Sequence, residues 1–150
     1  MGAKVGARVL KTRWMVRAPI SLYRAGLGFL LGSRLLMLQH RGRKTGQARY
    51  VVLEVVEHSK RDEYVVVSGF GEKSQWYRNV ETDPRVRVSS GFRRSVPAEA
   101  TLLDPAESAE VLHRYEQEHP RAWARLRPTI EEAAGHPVDT LPMVRLHLKG

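Results

Sequence analysis

The densest chemistry in the chain lies in Arg41-Gly42-Arg43-Lys44-Thr45-Gly46-Gln47, with Arg49 two places on. Two glycines allow a tight turn and bring backbone N–H groups close to a ligand. Arg and Lys supply charge-assisted donors, and the planar Arg fork matches phosphate or carboxylate oxygens. A basic, glycine-bearing turn between two apolar runs can therefore cradle an anion; it can equally be a charged, solvated hairpin turn. It is not a phosphate-binding loop of the Gly-x-x-x-x-Gly-Lys-Ser/Thr type. The spacing of Gly32, Gly42 and Gly46 is wrong, and the residues that follow Gly46 have strand character.

Other routes to chemistry are closed or weak. With no cysteine, disulfides, thiolate nucleophiles and Cys-ligated metal centres are excluded, and a reducing compartment such as the cytoplasm fits. The six histidines (His40, His58, His113, His119, His136 and His147) show no metal-ligand spacing, and no Gly-x-Ser-x-Gly nucleophile elbow occurs. Asp62-Glu63 falls in an expected turn, where solvation is its ordinary fate. A chain without its own nucleophile or metal either only binds, or leaves the chemistry to a cofactor that it orients.

The elements that must position the basic turn follow from periodicity. Strands are expected at Leu35–His40, Arg49–Val56, Tyr64–Ser68, Val86–Ser90, Ser95–Leu102 and Met143–Leu148, with a polar turn at His58–Glu63. Ser74 is expected to cap a short helix through Val80. Asp104-Pro105-Ala106-Glu107 combines a capping Asp, proline at the first helical position and Glu three residues after the cap, and so starts a helix to about Glu118. Two short helices, Arg121–Leu126 and Thr129–Ala134, should follow, with Gly135 as the stop. Six to seven mostly antiparallel strands with covering helices suggest a small α+β barrel.

Residues 1–34 read as a separate basic, helical segment interrupted at Pro19, ahead of a barrel domain at 35–150. Eleven Lys and Arg residues precede the first acid, Glu54, so the whole excess behind the net charge of +9 lies in the first third. That field draws anions. The segment can pack across the barrel, lie peripherally on an anionic membrane face, or meet nucleic acid. Its apolar run from Ala25 to Ser33 is too short to span a bilayer. No nucleic-acid-binding signature accompanies the charge, so no specific nucleic-acid partner is expected.

The turn, together with Ser68-Gly69-Phe70-Gly71, Trp76-Tyr77-Arg78-Asn79 and Asp83-Pro84-Arg85-Val86-Arg87-Val88, resembles the deazaflavin-dependent nitroreductase family. The likeness runs from about Leu35 to Leu103, with a weaker echo at Leu141-Pro142-Met143-Val144. It implies the split β-barrel of flavin-reductase-like proteins and the coenzyme F420, an 8-hydroxy-5-deazaflavin with a phosphate and a polyglutamate tail. It further implies that Arg41, Arg43, Lys44, Thr45, Gly46 and Arg49 hold the phosphate and linker. Ser68, Gly69, Phe70, Gly71 and Trp76 would wall the ring, and Asn79 would lock the short helix. Hydride would pass to a small-molecule acceptor (a quinone, an activated alkene or a nitroaromatic), and the proton would come from solvent or a nearby hydroxyl, with Ser68 and Tyr77 as candidates. A phosphate cradle alone also accommodates FMN, the runner-up, and the same fold could serve as a non-catalytic carrier or form a homodimer. Relatives place several tyrosines around the acceptor after the long helix. This chain has His119, Pro120, Trp123 and Arg125 there, so the acceptor does not carry over with the coenzyme.

Overall fold

The structure, a computed structural model, describes residues 35–68, 74–135 and 141–149. The expected N-terminal segment 1–34 and the Gly69-Phe70-Gly71 stretch lie outside the described residues. Six strands form a closed antiparallel barrel: β1 (Leu35–Arg41), β2 (Ala48–Lys60), β3 (Glu63–Val67), β4 (Arg85–Ser90), β5 (Arg93–Leu102) and β6 (Met143–Leu148). Their order around the barrel is β1-β2-β3-β6-β5-β4. Three helices accompany them: α1 (Gln75–Thr82), α2 (Pro105–Glu118) and α3 (Pro120–Ala134).

Alternation along the strands sorts side chains into two cores, because successive Cβ atoms point to opposite faces of a sheet. Leu36 and Leu38 of β1, Leu53 of β2, Tyr64 and Val66 of β3 and Val144, Leu146 and Leu148 of β6 fill the barrel interior. Trp76, Tyr77 and Val80 of α1 pack into the same cluster. The opposite faces of β2, β3 and β6 offer Val56, Val65 and Met143 to Val111, Leu112 and Tyr115 of α2 and Trp123 of α3. By the same alternation β2 feeds both cores, Val55 inward and Val56 outward, and its pairing with β3 shifts register just beyond, between Val55 and Glu57.

Helix α2 starts as its sequence requires: the Asp104 side chain accepts from the Glu107 N–H at 2.8 Å, with Pro105 in the first turn. Elsewhere the structure corrects the reading. Strand β2 continues to Lys60, so the polar stretch from His58 is strand rather than turn, closing on Lys60 paired with Glu63. The expected pair of helices after His119 is one helix with Pro128 inside it, ended by Gly135 at φ 79°. Pro128 removes one backbone donor, but the helix continues to Ala134. Ser74 makes no capping bond; its hydroxyl oxygen accepts from Ser68 Oγ at 2.9 Å instead. No helix among the described residues is long and apolar enough to cross a membrane.

Candidate anion and coenzyme recess

Strands β1 and β2 pair from Leu35↔Glu54 to Arg41↔Ala48, so the basic turn is the tip of their hairpin. Within it the Gly46 N–H donates to the Gly42 carbonyl at 2.7 Å, and the Gly42 N–H to the Gln47 carbonyl at 2.9 Å. Thr45 Oγ1 accepts from the Gln47 N–H at 3.2 Å. Gly46 sits at φ 71°, a left-handed conformation that favours glycine. A Cβ on Gly42 would lie 2.9 Å from Thr45 Oγ1, so only glycine fits there without moving the threonine.

Arg43 clamps this turn to α1. Its backbone N–H and its Nη1 both donate to Asn79 Oδ1, at 3.1 and 2.8 Å, and its Nη2 donates to Gln75 Oε1 at 2.9 Å. Asn79 is buried, and its Nδ2 donates onward to Nδ1 of buried His40 at 3.1 Å. Through these side-chain bonds Asn79 ties its helix to the turn and to β1. Burial, with the Arg49 charge second, pushes His40 down to about 4, so its imidazole is neutral near pH 7.

Beside the clamp lies a recess of about 950 Å³. The turn contributes Arg43, Lys44 and Thr45, β2 contributes Arg49, Tyr50 and Val51, α1 contributes Gln75, Trp76 and Asn79, and β1 contributes His40. No acidic side chain lines it among the described residues. Lys44 and Arg49 are exposed and form no ion pair among the described residues. Two cations facing a wall without acids favour an anion there. Trp76, 7% exposed, meets Tyr77 edge-on at 5.9 Å between ring centroids and presents part of its surface to the recess.

Of the residues expected to bind, the recess gathers Arg43, Lys44, Thr45, Arg49, Trp76 and Asn79. Gly46 shapes the turn without lining the recess. Arg41 Nη1 donates to the Gly46 carbonyl at 3.4 Å, and its side chain lines a smaller depression with His40, Arg85, Arg87 and Lys149. Ser68 is buried, its N–H on the Pro142 carbonyl, and Tyr77 belongs to the barrel core; neither lines the recess. His40 was not singled out in the sequence as a binding residue, although it continues the inward alternation of Leu36 and Leu38.

Residues 14–129 match the family model described as F420H(2)-dependent quinone reductase. Over 94 residues the chain is 32% identical to a Mycobacterium tuberculosis (strain ATCC 25618 / H37Rv) protein named "Putative F420H(2)-dependent quinone reductase Rv3178", covering 61% of this chain and 76% of that one. Among solved structures, one titled as an F420-H2 dependent reductase, FDR-A, superposes with a TM-score of 0.53 at 22% identity, over 76% of this chain and 94% of that one. Another, described as a domain-swapped dimer, reaches 0.58 at 22% identity, over 91% of this chain and 99% of that one. At these identities the structural likeness establishes the split-barrel fold.

Proposed function

The chain belongs to the F420H(2)-dependent quinone reductase family, and from that premise we propose that the recess beside the basic turn holds reduced F420 and opens its ring to a quinone. The donor set fits such a ligand. A phosphate and a string of carboxylates need cations not already spent on protein acids, and Lys44 and Arg49 meet that condition among the described residues. Thr45 adds a hydroxyl at the recess wall. When bound, the coenzyme supplies a hydride from its ring carbon; the protein supplies place, orientation and exclusion of water.

The roles divide by position. Lys44 and Arg49 neutralise the phosphate and the first part of the tail. Arg43 holds the turn in shape through Asn79 and Gln75 and presents the remaining edge of its guanidinium to the recess. Trp76 offers an apolar face on which a flat ring can rest. Proton delivery to the reduced acceptor falls to a hydroxyl or solvent near the ring. The two hydroxyls expected from the sequence stand back from the recess, Ser68 buried with its Oγ donating to Ser74 Oγ and Tyr77 held in the core, which leaves solvent as the more accessible source.

Carrying this reading is a recess that no described acidic side chain lines, with Lys44, Arg49 and Trp76 on its wall and neither cation in an ion pair among the described residues. A titration of F420 against the purified full chain, followed by tryptophan fluorescence with FMN in parallel, tests it. Saturable quenching by F420 is expected. Lys44→Ala and Arg49→Ala should each weaken it about tenfold, the order expected for one charge-assisted contact. Binding of FMN alone overturns the coenzyme, and binding of neither overturns the site. Oxidation of reduced F420 by a soluble quinone then separates an enzyme from a carrier.

A further inference from the structure

The buried polar chain behind the recess fixes more than the shape of the turn. Asn79 has one acceptor end and one donor end, and Arg43 decides which way round they lie. Two N–H groups of Arg43 converge on the same Asn79 oxygen, at 3.1 and 2.8 Å. An amide nitrogen in that place would face two donors, so the oxygen must point to Arg43 and Nδ2 must point to His40. Nδ2 has only protons to offer. The His40 Nδ1 that it meets at 3.1 Å must therefore carry a lone pair, and the imidazole proton must sit on Nε2.

We infer that His40 is a ligand-facing residue of the recess, whose Nε2–H, fixed by the Arg43–Asn79 clamp, donates to an oxygen of the bound coenzyme. Three observations place it there. His40 lines the recess, and lines the smaller depression beside Arg41 as well. It stands directly opposite Arg49 in the β1–β2 register, at the end of the inward-facing row of Leu36 and Leu38. Its Nδ1 is already engaged by Asn79, and Nε2 forms no hydrogen bond among the described residues. Lys44 attracts an anion as a point charge, and the Arg49 fork can pair with any two of its oxygens. A rigid neutral donor recognises one oxygen at one place, whether carbonyl or phosphate, and so contributes orientation rather than charge. The ligand's identity rests on the coenzyme reading above; the tautomer does not.

Two substitutions separate this role from a merely structural one. The oxygen of an Asn side chain can stand in for Nδ1, so His40→Asn retains an acceptor for Asn79 and loses the donor toward the recess. The amide of Gln reaches as far as Nε2, so His40→Gln retains that donor and loses the acceptor. If His40 faces the ligand, His40→Asn should weaken F420 binding about tenfold and His40→Gln by no more than about threefold. A residue that only props Asn79 gives the reverse order, and that result overturns the inference. Imidazole nitrogen NMR on the ligand-free protein provides the independent readout. Expected is a neutral His40 with the proton on Nε2, whose Nε2 signal moves when F420 is added. A proton on Nδ1, or an unmoved signal in a saturated complex, overturns the inference while leaving the coenzyme site intact. A wild-type protein that binds no F420 removes the site first and the ligand role of His40 with it, and the NMR result then stands alone as a test of the tautomer.

Discussion

Replacing Asn79 by alanine should strongly destabilise the barrel without removing a charge. The side chain is 4% exposed and takes part in three hydrogen bonds: two from Arg43 and one to His40. Each is worth about 0.5–1.5 kcal/mol net, and an abandoned buried partner adds to the loss. Arg43 Nη1 can recover water, whereas the Arg43 N–H and His40 Nδ1 turn toward the space the amide leaves. A loss of about 3 kcal/mol follows, a large part of the 5–15 kcal/mol on which a domain ordinarily rests. For a chain of this size it corresponds to about 6–12 °C in the unfolding midpoint. Gln75→Ala is the control, because it removes one exposed bond to the same arginine and should cost less than about 1 kcal/mol. Urea unfolding of both variants beside the wild type, with the slope checked for constancy, reads the difference. Equal midpoints for the two variants would refute the assignment of Asn79 as the tie between the turn and the barrel.

Two further outcomes come from the same region. His40 is held at about 4 against an ordinary 6.5, so as pH falls below 6.5 the unfolded chain takes up its proton first. The associated stability is complete above about pH 6.5 and is lost as pH falls to about 4, roughly 3 kcal/mol in all. Urea unfolding at pH 7 and pH 4 should therefore show the wild type losing about that much more than His40→Gln, and an unchanged gap between them would refute it. In the turn, Gly46→Ala meets no atom within 4 Å and should cost only the left-handed strain, about 1 kcal/mol. Gly42→Ala must displace Thr45 Oγ1 from 2.9 Å, so thermal unfolding should show Thr45→Ala relieving part of its cost and leaving Gly46→Ala unrelieved.

Much of the barrel was legible because its signal is local. Leu36 and Leu38 alternate with Met37 and Gln39, Val86 with Arg87, and Ala98 with Glu99, and each run folds as a strand. The start of α2 was equally plain, since Asp104, Pro105 and Glu107 complete a capping pattern within four residues. The failures are tertiary. The end of β2 has no apolar face, yet the hairpin with β3 extends its ladder through His58 to Lys60. Pro128 has the mark of a helix break, but the backbone carries through it. The basic turn was visible in the sequence, whereas the division of labour inside it was not. Asn79 lies 36 residues from Arg43 and 39 from His40, so no local pattern reports that they meet.

That division explains why neighbouring cations in this turn are not equivalent. Arg43 engages Asn79 through its backbone and Nη1, and Gln75 through Nη2, a fork that only a planar guanidinium can form. Its positive charge is thereby committed to geometry. Lys44, the next residue, has no such commitment among the described residues and remains exposed at the recess. A flexible ammonium suits an anion whose oxygens shift during binding, while the fork suits an anchor that must not move. Arg49 provides the second uncommitted charge from the opposite strand, and its field helps keep His40 neutral. Burial, with the Arg49 charge second, thus keeps His40 from becoming a third cation, and leaves a directional donor where a diffuse charge would otherwise be.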